Sequence, residues 1–250
     1  MNIQQRKIIN LFNKKVKGKK ADLSKYTDKH AGKEGHWLEK QMGIKPNADN
    51  LPDLYGYEMK KSTTSKTTFG DWSADYYIFK DKKYDISRDT FLQIFGKSNK
   101  DKGGRFSWSG EPCPTIRKYN AFGQILFVDK VNNILVQYSF NEDQRSNKQN
   151  IIPKLMQKES LLIARWDVDS MKKKLEDKFN VKGWFRCIKN PNGVYEKIVF
   201  GGPIKFDNWI KGVKSGEVFF DSGIYQGNPR NYSQWRASNS YWDSLITSRY

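Results

Sequence analysis

The sequence holds two cysteines and two histidines in 250 residues, and those scarcities close off most of the usual routes to enzyme chemistry. Cys113 and Cys187 stand far apart with no CxxC partner, so neither a disulfide framework nor a thiolate zinc site is supported. His30 and His36 are too few for a histidine-rich metal centre and suggest no Ser-His-Asp or Cys-His constellation. No apolar run approaches the ~20 residues that a membrane-spanning helix needs, and no basic amphipathic helix stands out for a membrane surface. Met1-Asn-Ile-Gln-Gln-Arg6 lacks the apolar segment of a signal peptide, so the expected location is the cytoplasm. Internal repeats and long low-complexity segments are also missing. Catalysis, if present, falls to carboxylates and lysines.

What the chain has in excess is positive charge. Lys and Arg number 45 against 27 Asp and Glu, a net charge of +18. Such a surplus favours a polyanionic partner, nucleic acid first, because each phosphate neutralised releases condensed counterions. The length allows a substantial core in one large domain or two intimate lobes. Apolar periodicity predicts a helix over residues 3–12, running into a basic cluster at 14–20, and a second over 35–43 with Leu38 and Met42 inward. Strands are expected at 55–61, 75–79, 161–166 and 218–225, and helices at 169–179, with Met171 and Leu175 inward, and at 206–213. Residues 125–128 and 134–140 form one hairpin. Residues 181–188 and 194–200 form another around Asn190-Pro-Asn-Gly193. Mixed strands and helices of this kind give an α+β class.

The stretch Leu51-Pro-Asp-Leu-Tyr-Gly-Tyr-Glu-Met-Lys-Lys61 concentrates the acid and base chemistry. In a strand, Glu58 and Lys60 share one face while Tyr57 and Met59 take the other. A turn or bulge at Gly56 would swing Asp53 toward Glu58. Two hard oxygen ligands side by side suit Mg²⁺, which can polarise a phosphoryl oxygen and lower the pKa of a bound water. Lys60 then either orients or deprotonates that water, or stays charged and stabilises the transition state. The plain alternative is an amphipathic strand with a solvated charged face, since D-x4-E-x-K alone is a short motif. Glu39, beside the buried stripe of its helix, is either a surface acid or a third carboxylate aimed at the same site.

Three stretches offer contacts to nucleic acid. Residues 62–68, with Ser62 and Lys66 following Lys61, carry hydroxyls and ammonium groups suited to phosphate oxygens. Residues 96–110 are glycine-rich and basic, and read as a loop outside the core that orders on DNA through Arg105 and Trp108. Residues 226–239 bring together Arg230, Asn231, Gln234 and Arg236 with tyrosine and tryptophan on a Gly/Pro loop, the side chains that read base edges. A polar loop without function remains the competing account of each.

Gly35-His-Trp-Leu-Glu39, Pro52-Asp53 and Glu58-Met-Lys60, in that order and spacing, resemble the MutH-like group of restriction-type endonucleases, most closely its MvaI and BcnI branch of monomeric type II enzymes. Trp166 to Leu175, Asp221-Ser-Gly-Ile-Tyr225 and Ser233-Gln-Trp-Arg236 extend the resemblance over most of the chain. It implies a restriction-endonuclease-like PD-(D/E)xK core, a mixed central sheet flanked by helices, with a smaller DNA-recognition lobe. The catalytic lobe is expected over roughly residues 1–200 and the recognition lobe over roughly 201–250, with a contribution from 96–118. By the same resemblance Asp53 and Glu58 hold Mg²⁺, Lys60 assists the water and Glu39 is an accessory acid. Arg236, with Arg230, Asn231 and Gln234, faces base edges in a short specific sequence of double-stranded DNA. The implied activity is that of a monomeric type II restriction endonuclease leaving 5′-phosphates. Two rivals are a strand-nicking mismatch-repair endonuclease on the same fold and a basic nucleic-acid-binding protein with no chemistry.

Overall fold

The computed structural model describes residues 1–24, 26, 32–45, 49–61 and 63–250; Ser62 lies outside the described residues. The chain opens with helices α1 (Ile3–Lys15) and α2 (Lys33–Gln41), then strands β1 (Glu58–Lys60), β2 (Lys66–Asp71) and β3 (Tyr76–Tyr77). Helix α3 (Arg88–Phe95) precedes β4 (Lys97–Asn99), β5 (Arg105–Trp108), β6 (Phe122–Val128) and β7 (Ile134–Asp143). After the single-turn α4 (Lys148–Ile151) come β8 (Leu161–Trp166), α5 (Val168–Phe179), β9 (Trp184–Lys189) and β10 (Tyr195–Gly201). Then follow α6 (Phe206–Ser215), β11 (Val218–Ser222), β12 (Ile224–Tyr225), β13 (Ser233–Ser238), α7 (Asn239–Ser244) and β14 (Ile246–Arg249). The class is α+β, as expected, and no helix among the described residues is long and apolar enough to cross a membrane.

Two compact units emerge, residues 1–67 with 174–205 and 239–250, and residues 68–173 with 206–238. Their boundaries differ from the expected single division near residue 200. Long-range strand pairing decides this, since β14 at the end of the chain joins a sheet that begins at Glu58.

The first unit is built on a mixed sheet of order β1-β9-β10-β14, with β1 parallel to β9 and the other pairs antiparallel. Helix α1 starts with a capping box, Asn2 accepting the Gln5 N–H at 2.8 Å and Gln5 Oε1 accepting the Asn2 N–H at 3.0 Å. Its Ile8 and Phe12, with Trp37, Leu38 and Met42 of the α2 region, bury against Tyr57, Met59, Phe185, Cys187, Ile198 and Phe200 on one sheet face. Alternation along β1 and β9 therefore turns Glu58, Lys60, Trp184 and Arg186 to the other face. There the Trp184 and Trp242 rings meet edge to face at 5.0 Å, with Phe179 6.1 Å from Trp242.

The second unit holds the antiparallel sheet β3-β8-β7-β6 and two three-stranded sheets, β11-β13-β2 and β12-β5-β4. Indoles fill its core: Trp166 packs on Phe220 at 4.9 Å and Trp235 at 5.4 Å, and Trp209 reaches Trp235 at 5.3 Å. Removing any one of these rings would cost roughly 3–5 kcal/mol.

Two expected loops are strands. Residues 96–110 form the β4–β5 hairpin, and Trp108, proposed as a DNA contact, is fully buried and donates to Gln124 Oε1 at 2.6 Å. A buried indole N–H with a side-chain acceptor is a core arrangement. Residues 233–238 of the expected base-reading loop are β13, the centre of its sheet, with Trp235 and Ala237 buried and Gln234 and Arg236 on the opposite face. The expected strand at 75–79 is reduced to Tyr76–Tyr77 by a 3-10 turn over Ile78–Lys80, and the other expected elements appear within a few residues, with the strand at 218–225 divided at Gly223 into β11 and β12.

Candidate active site

A reversal of the chain places the first carboxylate. Leu54 and Tyr57 exchange both backbone hydrogen bonds, at 3.0 and 2.9 Å, leaving Tyr55 and Gly56 as a two-residue connection. Both lie at positive φ, 51° and 85°, the form that matches the twist of a tight hairpin. Glycine takes it freely and Tyr55 takes it under strain. Residues opposite one another in such a hairpin project to one side, so Asp53 comes out beside Glu58. Its Oδ2 accepts the Met59 N–H at 2.8 Å, and the Glu58 N–H anchors β1 on Gly183 O at 3.0 Å. Gly183 has φ 101°, and a Cβ there would stand 2.3 Å from Gly201 O. The turn consumes Tyr55 and Gly56, so the expected strand over 55–61 is only Glu58–Lys60.

Charge in this corner is buried and unequal. Glu58 is 4 % exposed; its Oε1 meets Lys60 Nζ at 3.0 Å and Lys178 Nζ at 3.2 Å. Its Oε2 is buried with no hydrogen-bond partner. The Lys60 ammonium lies 4.9 Å from the Phe179 ring centroid and 6.0 Å from that of Trp242. Burial lowers the pKa of Lys60 and outweighs the pull of Glu58, with Lys178 adding to the lowering. Burial, reinforced by the charge of Glu58, pushes Asp53 up to about 7. An unsatisfied buried carboxylate oxygen is costly, and a carboxyl kept protonated by its surroundings ionises readily beside a cation. Asp53 and Glu58 thus fit a hard divalent ion with oxygen preference. Among the described residues no group of three or more His, Cys, Asp or Glu side chains converges for a metal.

Glu39 is accordingly not brought to this pair; it lies one helical turn from His36, whose Nδ1 is 3.3 Å from its Oε2. The helix acid that does meet the β1 region is Glu34. It takes the Lys189 ammonium at 2.6 Å and the Tyr195 hydroxyl at 3.1 Å, with Lys61 at 3.7 Å. Burial works against its charge, yet Lys189 holds its carboxyl below the ordinary value. Lys61 thereby lines a polar hollow with Thr63, Thr64 and Lys189, and Lys66 begins β2, half-buried.

The candidates in the second unit divide into those that present a polar edge and those that hold the backbone. Arg236 pairs with Asp221 at 3.1 Å and donates to Gln234 Oε1. Arg230 is exposed, bonds Asp71 at 2.8 Å and lies 4.7 Å over the Tyr232 ring. Asn231 Oδ1 accepts from Arg88 Nε at 2.8 Å. Arg88 also donates to Tyr225 O and Arg230 O, both at 3.1 Å. Arg105 stacks 3.8 Å over the Tyr225 ring. Lys178, Glu34 and Arg88 were not singled out from the sequence, and Asp221 was quoted there only within the resemblance, without a role. The one signal for Lys178 is its place beside Phe179, at the border of the Met171, Leu175, Phe179 stripe.

The fold is that of a restriction endonuclease. Restriction endonuclease MvaI, solved in complex with its cognate DNA substrate, aligns over 100 % of this chain and 98 % of its own, with a TM-score of 0.63 at 14 % identity. The family model described as LlaMI restriction endonuclease matches residues 16–250. ScrFI, a type II restriction enzyme of Lactococcus lactis subsp. cremoris, is 49 % identical over 267 residues, covering 99 % of this chain and 98 % of that protein. The chain belongs to the LlaMI restriction endonuclease family and is a type II site-specific deoxyribonuclease. Enzymes of this class generally use a divalent metal ion.

Proposed function

We propose that this enzyme hydrolyses both strands of double-stranded DNA at a short specific sequence, with Mg²⁺ held by Asp53 and Glu58, leaving 5′-phosphates. The observation that carries the reading is the buried, unpartnered Oε2 of Glu58 beside a carboxyl whose proton is held by burial. When bound, the ion supplies phosphoryl polarisation and a more acidic water. Glu58 and Asp53 orient that site from a short strand and a tight turn, so neither carboxylate has to reorganise. Lys60 lies against Glu58 and two aromatic rings; as an ammonium it positions the attacking water, and as the neutral amine that its lowered pKa favours it accepts the water's proton.

The first unit is the catalytic one. The second reads sequence from the β11–β13 face, with Arg236 and Gln234 offering donors and acceptors to base edges and Arg230 and Arg105 nearer the backbone. Lys61 and Lys66, with the surplus positive charge, bind phosphates in a salt-dependent way. The enzyme works as a monomer in the cytoplasm. Incubating purified protein with a plasmid of known sequence and Mg²⁺, then sequencing the fragment ends, tests this. Recurrent cuts at one short sequence with 5′-phosphate ends are expected, whereas nicks in one strand or ends scattered over many sequences would overturn it.

A further inference from the structure

Oε1 of Glu58 is shared by two ammonium groups, Lys60 at 3.0 Å and Lys178 at 3.2 Å. Two like charges against one buried carboxylate oxygen repel each other, and each is held there by its own attraction to Glu58. The two lysines are not equivalent. Lys60 projects from the sheet under Phe179 and Trp242, its side chain 10 % exposed. Lys178 stands in the last turn of α5, 18 % exposed, at the end of a long flexible stem that can carry its charge to solvent.

We propose that Lys178 is an internal cation that competes with the metal for Glu58. A divalent ion bound through Glu58 Oε2 and Asp53 would stand within one carboxylate of both ammonium groups, and the repulsion is relieved by releasing the one nearer solvent. The released ammonium turns to solvent, so the presence of Lys178 keeps metal loading weak in the DNA-free protein. This inference rests on Asp53 and Glu58 being the metal site.

Isothermal titration of Mg²⁺ into the full chain without DNA, at fixed pH and ionic strength, tests it. K178M should bind Mg²⁺ about tenfold more tightly than the unaltered protein, while K178R, which keeps the charge, stays within about twofold. K178Q repeats the test with a polar side chain, and thermal unfolding of each variant shows that the fold is kept. Unchanged or weaker binding in both K178M and K178Q, with binding abolished in E58Q, overturns the competition and leaves the metal site standing. Unchanged binding in E58Q overturns the metal site itself. Equal tightening in K178R and K178M overturns the charge as the cause.

Discussion

The Asp53–Glu58–Lys60–Lys178 corner and the Asp221–Gln234–Arg236 face are both polar clusters on sheets, yet they solve opposite electrostatic problems. The first is buried, with a Glu58 oxygen that no amide, hydroxyl or ammonium group reaches and an Asp53 carboxyl whose pKa is pushed up to about 7 by burial, by the charge of Glu58 and by a side-chain hydrogen bond to it. The second is about a quarter exposed and its charges are paired, one guanidinium against one carboxylate and one amide, with only the guanidinium Nε buried without a partner. Burial without a full set of partners makes a site that asks for a ligand. Pairing at partial exposure makes a surface whose donors and acceptors can be exchanged at small cost for those of another molecule. The difference fits a division between chemistry and reading.

The comparison breaks most visibly if the buried corner is dispensable. D53A and K60A should each lower Mg²⁺-dependent cleavage by about 10³-fold or more, while gel-shift assays in Ca²⁺ show sequence-specific binding retained; full cleavage by both variants would sink the assignment. G56A is expected to lower cleavage by about 10²-fold, because a shifted turn misplaces Asp53 against Glu58. DNA binding should hold, and single-turnover rates against binding isotherms separate the two effects.

On the matched face, R236A should weaken preference for the cognate sequence by about 1–3 kcal/mol, measured as the ratio of cognate to single-mismatch affinities. Equal loss for every sequence would show contact with phosphate alone. R88A leaves Asn231 Oδ1 and two loop carbonyls unpaired and should lower the same ratio several-fold, with the single-turnover rate on saturating cognate DNA unchanged.

The smallest effect is on stability. The pKa of Asp53 is raised, so its contribution to folding is full below the unfolded value near 4 and is lost as pH rises through about 7. In EDTA, D53N should therefore match the unaltered protein near pH 4 and exceed it by a few degrees in melting temperature at pH 8. A gap independent of pH would show that burial of this carboxyl is not the cause.

The acidic motif was legible because its geometry is local: period-two alternation separates Glu58 and Lys60 from Tyr57 and Met59, and glycine marks the reversal that returns Asp53. Lys178 was not, since a lysine on an exposed helix face and one that meets a carboxylate from another element look alike in sequence. Glu39 and Glu34 show the same limit, as both lie on α2 and only the packing of β9 and β10 selects the second. Residues 96–110 have a loop's composition, but β5 pairs with β12 more than a hundred residues away and buries Trp108. In 233–238 the alternation of Ser233, Trp235 and Ala237 with Gln234 and Arg236 carried the strand signal, obscured by the Gly/Pro residues before it.

By itself the sequence determined the chemical vocabulary, carboxylates and lysines with almost no histidine or cysteine and a large positive surplus, together with the hairpins and helices whose periodicities are set by neighbouring residues. Tertiary structure alone decided which acids and bases meet, which arginines face outward and where the two units divide. Those outcomes depend on contacts between residues far apart in the chain, and local backbone and side-chain preferences carry no information about them.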